Sequence, residues 1–207
     1  MYENINIVRK SEHKTSEWSG GTTTQLYIYP HDAEYKKLNF KWRLSSAKVD
    51  VNESVFTHLP HIKRKIMILD GELLLQHEGH HSIKLKEFEQ DSFCGDWKTK
   101  SYGRVTDFNL MMNDCEGNLE YVCIDKLSSK KIVFDNKQRK YDYVANVLYV
   151  VSGNVSVELD SQETLCEGDI LLSYIGRDEE CKEMNIINKF SEDAKIIRSN
   201  IYYNKAR

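Results

Sequence analysis

Only two prolines interrupt the 207 residues, and no run of the chain reaches the ~18 apolar residues that a bilayer crossing needs. The opening residues, Met1-Tyr-Glu-Asn-Ile-Asn, lack the basic and apolar regions of a secretory signal. Cysteine occurs five times, yet there is no Cys-x-x-Cys, and positions 94, 115, 123, 166 and 181 show no zinc spacing. Reduced thiols in a cytoplasmic protein without a membrane partner are therefore expected. An excess of one charge is missing too: 29 basic against 32 acidic residues leave a net charge of −3. A nucleic-acid binder would show a basic face, so no nucleic-acid partner is expected. The chain also lacks Gly-x-Gly-x-x-Gly, the phosphate-loop Gly-x4-Gly-Lys and the Gly-x-Ser-x-Gly elbow. Gly20-Gly21-Thr22-Thr23-Thr24 is small and polar, but no helical pattern follows to make an anion-binding helix terminus.

What is present is enough apolar residue to build a core. Hydrophobic residues make up 40%, with twelve tyrosines and three tryptophans, which argues against disorder. Apolar and polar residues alternate with period two along most of the chain, as half-buried strands require. Strands are expected over 24–29, 41–49, 64–69, 72–77, 81–85, 104–112 and 119–125. Others are expected over 132–134, 143–151, 155–159, 162–165, 169–174 and 195–203. Turn signals separate them, among them Asp70-Gly71, Glu78-Gly79, Ser152-Gly153-Asn154 and Glu167-Gly168-Asp169. Helical periodicity is confined to a single turn over 32–38, and the charge runs 135–140 and 177–183 read as solvated loops. Many short strands with regular turns mean an all-β sandwich or barrel.

A weak internal repeat divides the chain. Ile66-Met-Ile-Leu-Asp-Gly-Glu-Leu-Leu-Leu has the shape of Val147-Leu-Tyr-Val-Val-Ser-Gly-Asn-Val-Ser-Val, aligning Gly71 with Gly153. A hairpin and an acidic turn follow each glycine: Glu89-Gln90-Asp91 in the first copy, Glu167-Gly168-Asp169 in the second. This is the rhythm of a double-stranded β-helix, the cupin jelly roll, and two copies make a two-lobed bicupin. The lobes are expected at residues 1–125 and 126–207, packed as one unit.

Most cupins known for enzymology bind a metal, and the ligand slots can be counted. From Gly71, the Glu slot holds Arg64 and the His slots hold His58 and Pro60. From Gly153, they hold Asn146, Lys140 and Asp142, and the second-motif His slots hold Phe93 and Leu171. One imidazole beside a guanidinium is no site for a divalent cation, so neither a metal nor another cofactor is expected. His77-Glu78-Gly79-His80-His81 matches H-E-x-x-H, but that protease motif needs a helix to align its histidines. Here the segment lies between two strand patterns and reads as a hairpin tip, with no more than adventitious metal affinity. His58 and His61, around Pro60, read as structural or pocket-lining.

Three segments place polar residues on shared strand faces. Thr23, Gln25 and Tyr27 alternate in one; Arg43, Ser45 and Ala47 in another; Asp107 and Asn109 in the third. If these faces point inward, they form a polar pocket for a small anionic ligand. Arg43 or Arg64 would clamp a carboxylate, and Gln25 and Asn109 would donate and accept. The competing expectation is that Arg43 and Arg64 form ordinary ion pairs with Asp107 or Asp96. Trp18, Trp42 and Trp97 are expected in core or pocket wall.

Six segments together resemble the HutD/Ves family. They are Trp18-Ser-Gly-Gly-Thr-Thr-Thr-Gln25, Trp42-Arg43-Leu-Ser45-Ser-Ala47, Phe56-Thr-His-Leu-Pro60 with Arg64, Leu69-Asp-Gly71, Phe93-Cys-Gly95-Asp96 and Asp107-Phe-Asn-Leu-Met111. They keep the family's order over residues 18–112. One departure stands out: the family's Gly-x-Asp-Arg reads His61-Ile-Lys63-Arg64 here. The resemblance implies a bicupin without bound metal. It further implies an auxiliary role linked in some members to histidine utilisation, by binding an intermediate such as N-formylglutamate. Other members are described as stress- or cold-responsive, and the family has no established enzymatic activity.

The expected function is thus the binding of a small anionic metabolite, with Gln25, Arg43, Ser45, His58, Arg64, Asp96, Asp107 and Asn109 as the candidate ligand-binding residues. The alternative is a metal-independent isomerase or hydrolase with Asp107, Asp96 and His58 as acid–base candidates. That version requires a carboxylate or imidazole of perturbed pKa in the arginine pocket. A third reading is a partner protein without ligand. Sheet pairing of cupin-like domains makes a homodimer a natural assembly.

Overall fold

Period-two alternation becomes strands nearly everywhere it was found. The computed structural model describes residues 5–135, 138, 140–158 and 162–205. The first four residues, the end of the expected strand 155–159 and part of the charged run 135–140 lie outside them. The chain separates into two units. One is His13–Cys115; the other joins the described residues of Met1–Glu12 to those of Glu116–Arg207. None of the described helices is long and apolar enough to cross a membrane.

In chain order the strands are β1 (Ile5–Val8), β2 (Lys14–Trp18), β3 (Gly21–Tyr29), β4 (Trp42–Val49), β5 (Glu53–Val55), β6 (Lys63–Gly71) and β7 (Leu73–His77). They continue with β8 (Ser82–Leu85), β9 (Gln90–Cys94), β10 (Thr99–Tyr102), β11 (Val105–Met112), β12 (Glu116–Ile124) and β13 (Ser128–Phe134). The last are β14 (Tyr143–Ser152), β15 (Asn154–Glu158), β16 (Gln162–Cys166), β17 (Ile170–Gly176), β18 (Lys182–Asn188) and β19 (Ala194–Tyr203). The helical turn expected over 32–38 is a 3₁₀ turn at Tyr35–Lys37.

The His13–Cys115 unit is a sandwich of two antiparallel sheets, ordered β2-β3-β4-β11-β6-β9 and β5-β10-β7-β8. Ile66, Ile68, Leu73, Leu75, Leu85, Phe93 and Val105 fill the space between them. A second cluster, Ile28, Phe40, Leu59, Ile62 and Met111, closes one end. Each such side chain contributes roughly 1.5–3 kcal/mol on burial, so these clusters hold the polar strands β4 and β11 in fixed register.

The other unit repeats the plan with sheets β1-β17-β14-β19-β12 and β13-β18-β15-β16. Its main core cluster is apolar, with Phe134, Val144, Leu148, Leu171, Ile186 and Ile196 all inaccessible or nearly so. β1 joins it by pairing Ile5–Val8 with Ile170–Ser173. The aligned glycines have the same backbone. Gly71 has φ +88 and Gly153 φ +78, and a Cβ would lie 2.6 Å from the Arg104 carbonyl oxygen or 2.8 Å from that of Asp193. Only glycine fits such a turn without strain.

Candidate functional site

The inner face of the six-stranded sheet carries the polar residues that alternation placed together. On β11, Asp107 pairs with Ala47, Asn109 with Ser45 and Met111 with Arg43. On its other side Met111 pairs with Arg64 of β6. Antiparallel partners point to the same face, so Arg43, Met111 and Arg64 form one row and Ser45 and Asn109 the next. These residues, with Asp107, line a cavity of about 280 Å³ in this unit, near the lower end of ligand-pocket sizes.

Both guanidinium groups are buried and neither has an ion-pair partner among the described residues. Arg43 donates from Nε to Gln25 Oε1 at 2.9 Å and from Nη1 to Ser45 Oγ at 3.0 Å. Its guanidinium lies 4.5 Å over the ring of Tyr35. Arg64 donates from Nη2 to Asn109 Oδ1 at 2.8 Å, while its Nε has no partner among the described residues. Phe56 and Phe93 flank it at 4.8 and 5.0 Å. Cation–π contact offsets part of the desolvation cost, but desolvation still pulls the Arg64 pKa down to about 10. The group remains a cation at neutral pH.

Among the described residues, Asp107 is the only carboxylate lining the cavity. Burial pushes its pKa up to about 7, against the opposing pull of Arg64 and a hydrogen bond from Asn109. Near neutral pH the site therefore holds two cations and at most one anion. Arg64 and Asp107 form no direct pair, because Asn109 accepts from the first and donates to the second. The ordinary ion pairs that competed with a pocket are not made among the described residues. Nor does this lining suit a metal of the cupin type: it offers one carboxylate, an amide and hydroxyls beside two guanidiniums, and no imidazole.

The remaining candidates are placed differently. Gln25 reaches the site through Arg43. Asp96 is exposed outside the cavity lining and accepts hydrogen bonds from the His61 amide at 3.0 Å and Cys94 Sγ at 2.9 Å. It thereby ties down the turn before Arg64. That turn has His61 at φ +64, a left-handed backbone that glycine would adopt without strain. His58 lines a separate groove with His77, His80, His81 and Trp97.

One face assignment is corrected. β3 shifts register between Gln25 and Tyr27, which pairs Gln25 with Ser45 but Tyr27 with Leu44. The bulge turns Tyr27 to the opposite face, where it stacks on buried Trp42 at 5.2 Å. No local sequence signal announces the extra residue. Tyr35, Phe56 and Met111 were missed as cavity walls; the two aromatics come from connecting segments, where strand alternation says nothing. Trp18 lines the cavity although more than a third of its surface is exposed.

In the other unit, the slots counted from Gly153 hold no such charge. Asn146 and Ser173 face each other across β14 and β17 with no hydrogen-bond partner among the described residues. Lys140 and Asp142 form ion pairs with Glu116 and Arg177.

A family model described as HutD matches residues 10–186. No curated protein matches the sequence. Among solved structures, a conserved protein of unknown function from Pseudomonas aeruginosa PAO1 superposes with a TM-score of 0.77 at 18% identity, covering 96% of this chain and 98% of that one. HutD from Pseudomonas fluorescens SBW25 gives 0.68 at 19%, with coverages of 96% and 98%. A pirin from Escherichia coli in complex with nickel(II) gives 0.69 at 10%, covering 96% and 99%. At these identities the likeness is one of fold: the chain is an all-β cupin jelly roll with two lobes.

Proposed function

The chain belongs to the HutD family, and from that premise we propose that the cavity of the His13–Cys115 unit binds a small organic anion. The observation that supports this reading most is the pair of buried guanidiniums, Arg43 and Arg64, with no direct ion pair among the described residues and only the Asp107 carboxyl to offset their charge. A buried charge without a partner is costly, and a carboxylate ligand would relieve both. Ser45 and Asn109 would fix its orientation, Gln25 would hold Arg43 in place, and Tyr35, Phe56 and Met111 would exclude water. The ligand class is an amino-acid-derived acid such as N-formylglutamate, and the role is auxiliary or regulatory, within histidine utilisation. The assembly is proposed to be a homodimer, which size-exclusion chromatography with light scattering checks. Calorimetry with N-formylglutamate, urocanate and glutamate tests the ligand class: at least one binds with measurable heat. Folded protein that binds none of the three rules the class out.

One observation favours a second reading, a metal-independent isomerase or hydrolase. Asp107 lies 3% exposed in the arginine cavity, with its pKa raised to about 7 by burial. A carboxyl poised near neutrality suits proton transfer to a bound anion. Turnover of a cavity ligand that falls in Asp107→Asn while binding persists would establish this reading, and binding without turnover would exclude it.

A further inference from the structure

The second groove of the His13–Cys115 unit holds a different chemistry. The segment between β7 and β8 reverses at Gly79, whose φ of +76 opens the turn. The His77 amide bonds to the His81 carbonyl at 2.8 Å, so the two histidines stand opposite each other with ring centroids 4.7 Å apart. Both aim at one carboxylate on β9. His77 Nε2 lies 2.9 Å from Asp91 Oδ2, and His81 Nε2 lies 3.1 and 3.2 Å from its two oxygens. All three donor groups fall within 4.8 Å of one another. Two ligands on a tetrahedral cation with bonds of ~2.0–2.1 Å stand roughly 3.3–3.4 Å apart, so small side-chain shifts would admit an ion.

The surroundings fix this set. The His77 side chain is inaccessible, and its other ring nitrogen, Nδ1, is held by Thr99 Oγ1 at 2.7 Å. This is the outer hydrogen bond that orients a metal-bound imidazole. Trp97 packs against both rings, at 5.5 Å from His77 and 5.9 Å from His81. Solvent reaches the group at His81, whose side chain is 40% exposed. The repeat supplies a contrast. Asp169, aligned with Asp91, is neutralised by Arg9 Nη1 at 2.9 Å and capped by the backbone amides of Lys10 and Cys166. Asp91 has only the two imidazoles as ion-pair partners among the described residues.

We propose that His77, His81 and Asp91 form a binding site for one first-row divalent cation of the zinc or nickel type. Two nitrogens and one carboxylate suit such an ion better than magnesium or calcium, which take oxygen. The open side toward His81 leaves a coordination position for water or a ligand. The site is separate from the arginine cavity and does not depend on the anion reading.

The test uses the untagged full chain, stripped with EDTA and titrated calorimetrically with zinc chloride. One ion per chain binds, and His81→Asn and Asp91→Asn each weaken it more than about 10-fold; Thr99→Val, which leaves all three ligands in place, weakens it about 10-fold through the loss of ring orientation. His80→Ala, removing the ring stacked on Trp97 at 3.7 Å, retains binding. Nickel quenches Trp97 fluorescence, and Trp97→Phe removes the quenching while zinc still binds. His81 is exposed enough that its variant folds, as circular dichroism checks. The absence of stoichiometric zinc binding overturns the proposal. So does binding unchanged in His81→Asn and Asp91→Asn, which assigns the ion to another group such as the exposed Cys166 or Cys181.

Discussion

Arg64 and Asp107 share the two ends of one amide instead of forming an ion pair. Asn109 Oδ1 accepts from Arg64 Nη2 at 2.8 Å, and Asn109 Nδ2 donates to Asp107 Oδ1. A guanidinium only donates, so this orientation of the amide is the one that satisfies both neighbours. The spacing leaves positive charge uncompensated beside Arg43, and that charge sets the behaviour of the cavity.

Removing it separates function from stability. Arg64→Met keeps an unbranched apolar side chain between Phe56 and Phe93. Affinity for the anionic ligand falls by about 1.5–3 kcal/mol, the contribution of a charge-assisted hydrogen bond. Stability of the ligand-free protein stays level or rises by about 1 kcal/mol or more, because a desolvated charge is gone. Calorimetry and urea denaturation measure the two. A variant that binds normally but unfolds more easily would make Arg64 a structural residue only.

Asp107 gives the cavity a pH dependence. Its carboxyl titrates near 3.8 when unfolded and at about 7 in the fold. Across that window the native state holds a proton that the unfolded state has released. Stability therefore falls as pH rises from 3.8 toward about 7 and is level above it. Ionisation also adds a like charge next to an anionic ligand, so affinity declines as pH rises through about 7. Asp107→Asn flattens both slopes. Denaturation and ligand titrations between pH 5 and 8 check them, and equal slopes in wild type and variant would remove Asp107 from the account.

The aligned glycines test the repeat in both units. Gly71→Ala and Gly153→Ala place a Cβ in left-handed backbone beside a carbonyl oxygen. Each lowers stability by at least about 1–2 kcal/mol, read as a shift in denaturation midpoint. Gly79→Ala, where a Cβ meets nothing within 4 Å, bears only the backbone strain and costs less than either.

Asp169 anchors the first residues of the chain. It accepts from Arg9 Nη1, the Lys10 amide and the Cys166 amide at 2.9–3.0 Å. These bonds hold its pKa below the usual carboxylate value against the opposing desolvation by burial. Asp169→Ala costs about 2–3 kcal/mol, since two amides and a guanidinium lose their acceptor. Limited proteolysis near Lys10 and Lys14 speeds up in the variant, and unchanged cleavage would show that pairing of β1 with β17 suffices alone.

Much of this was legible from residue patterns, for a physical reason. Long strands such as β4, β11, β14 and β19 bury large alternating or continuous apolar sets, so their period survives any context. The strands that escaped detection are short or polar. β2 reads Lys14-Thr-Ser-Glu-Trp18 and is exposed throughout at a sheet edge. β18 begins inside the charged run 177–183, yet Met184, Ile186 and Asn188 alternate inward. β1, β5, β9 and β10 hold only three to five residues each; β7, β8, β15 and β16 are as short, but the turn signals at Gly79, Gly153 and Gly168 frame them. Alternation put Arg43 with Ser45 and Asp107 with Asn109; that the two pairs share one face comes from the pairing of β4 with β11. The groove histidines were visible as a motif, but their convergence on Asp91 depends on β9 packing beside β6, which no local pattern encodes.

The extra residue Leu26 in β3 makes one strand do two jobs. Ahead of the bulge, Thr23 lines the cavity and Gln25 braces Arg43; beyond it, Tyr27 and Tyr29 stack on Trp42 at 5.2 and 5.7 Å. The two halves are thereby uncoupled for evolution. Ligand preference can drift through positions 23 and 25 while the aromatic wall keeps the sheet in register. A single-residue deletion at Leu26, by contrast, would swing a tyrosine ring toward the arginines and exchange an anion pocket for an aromatic one.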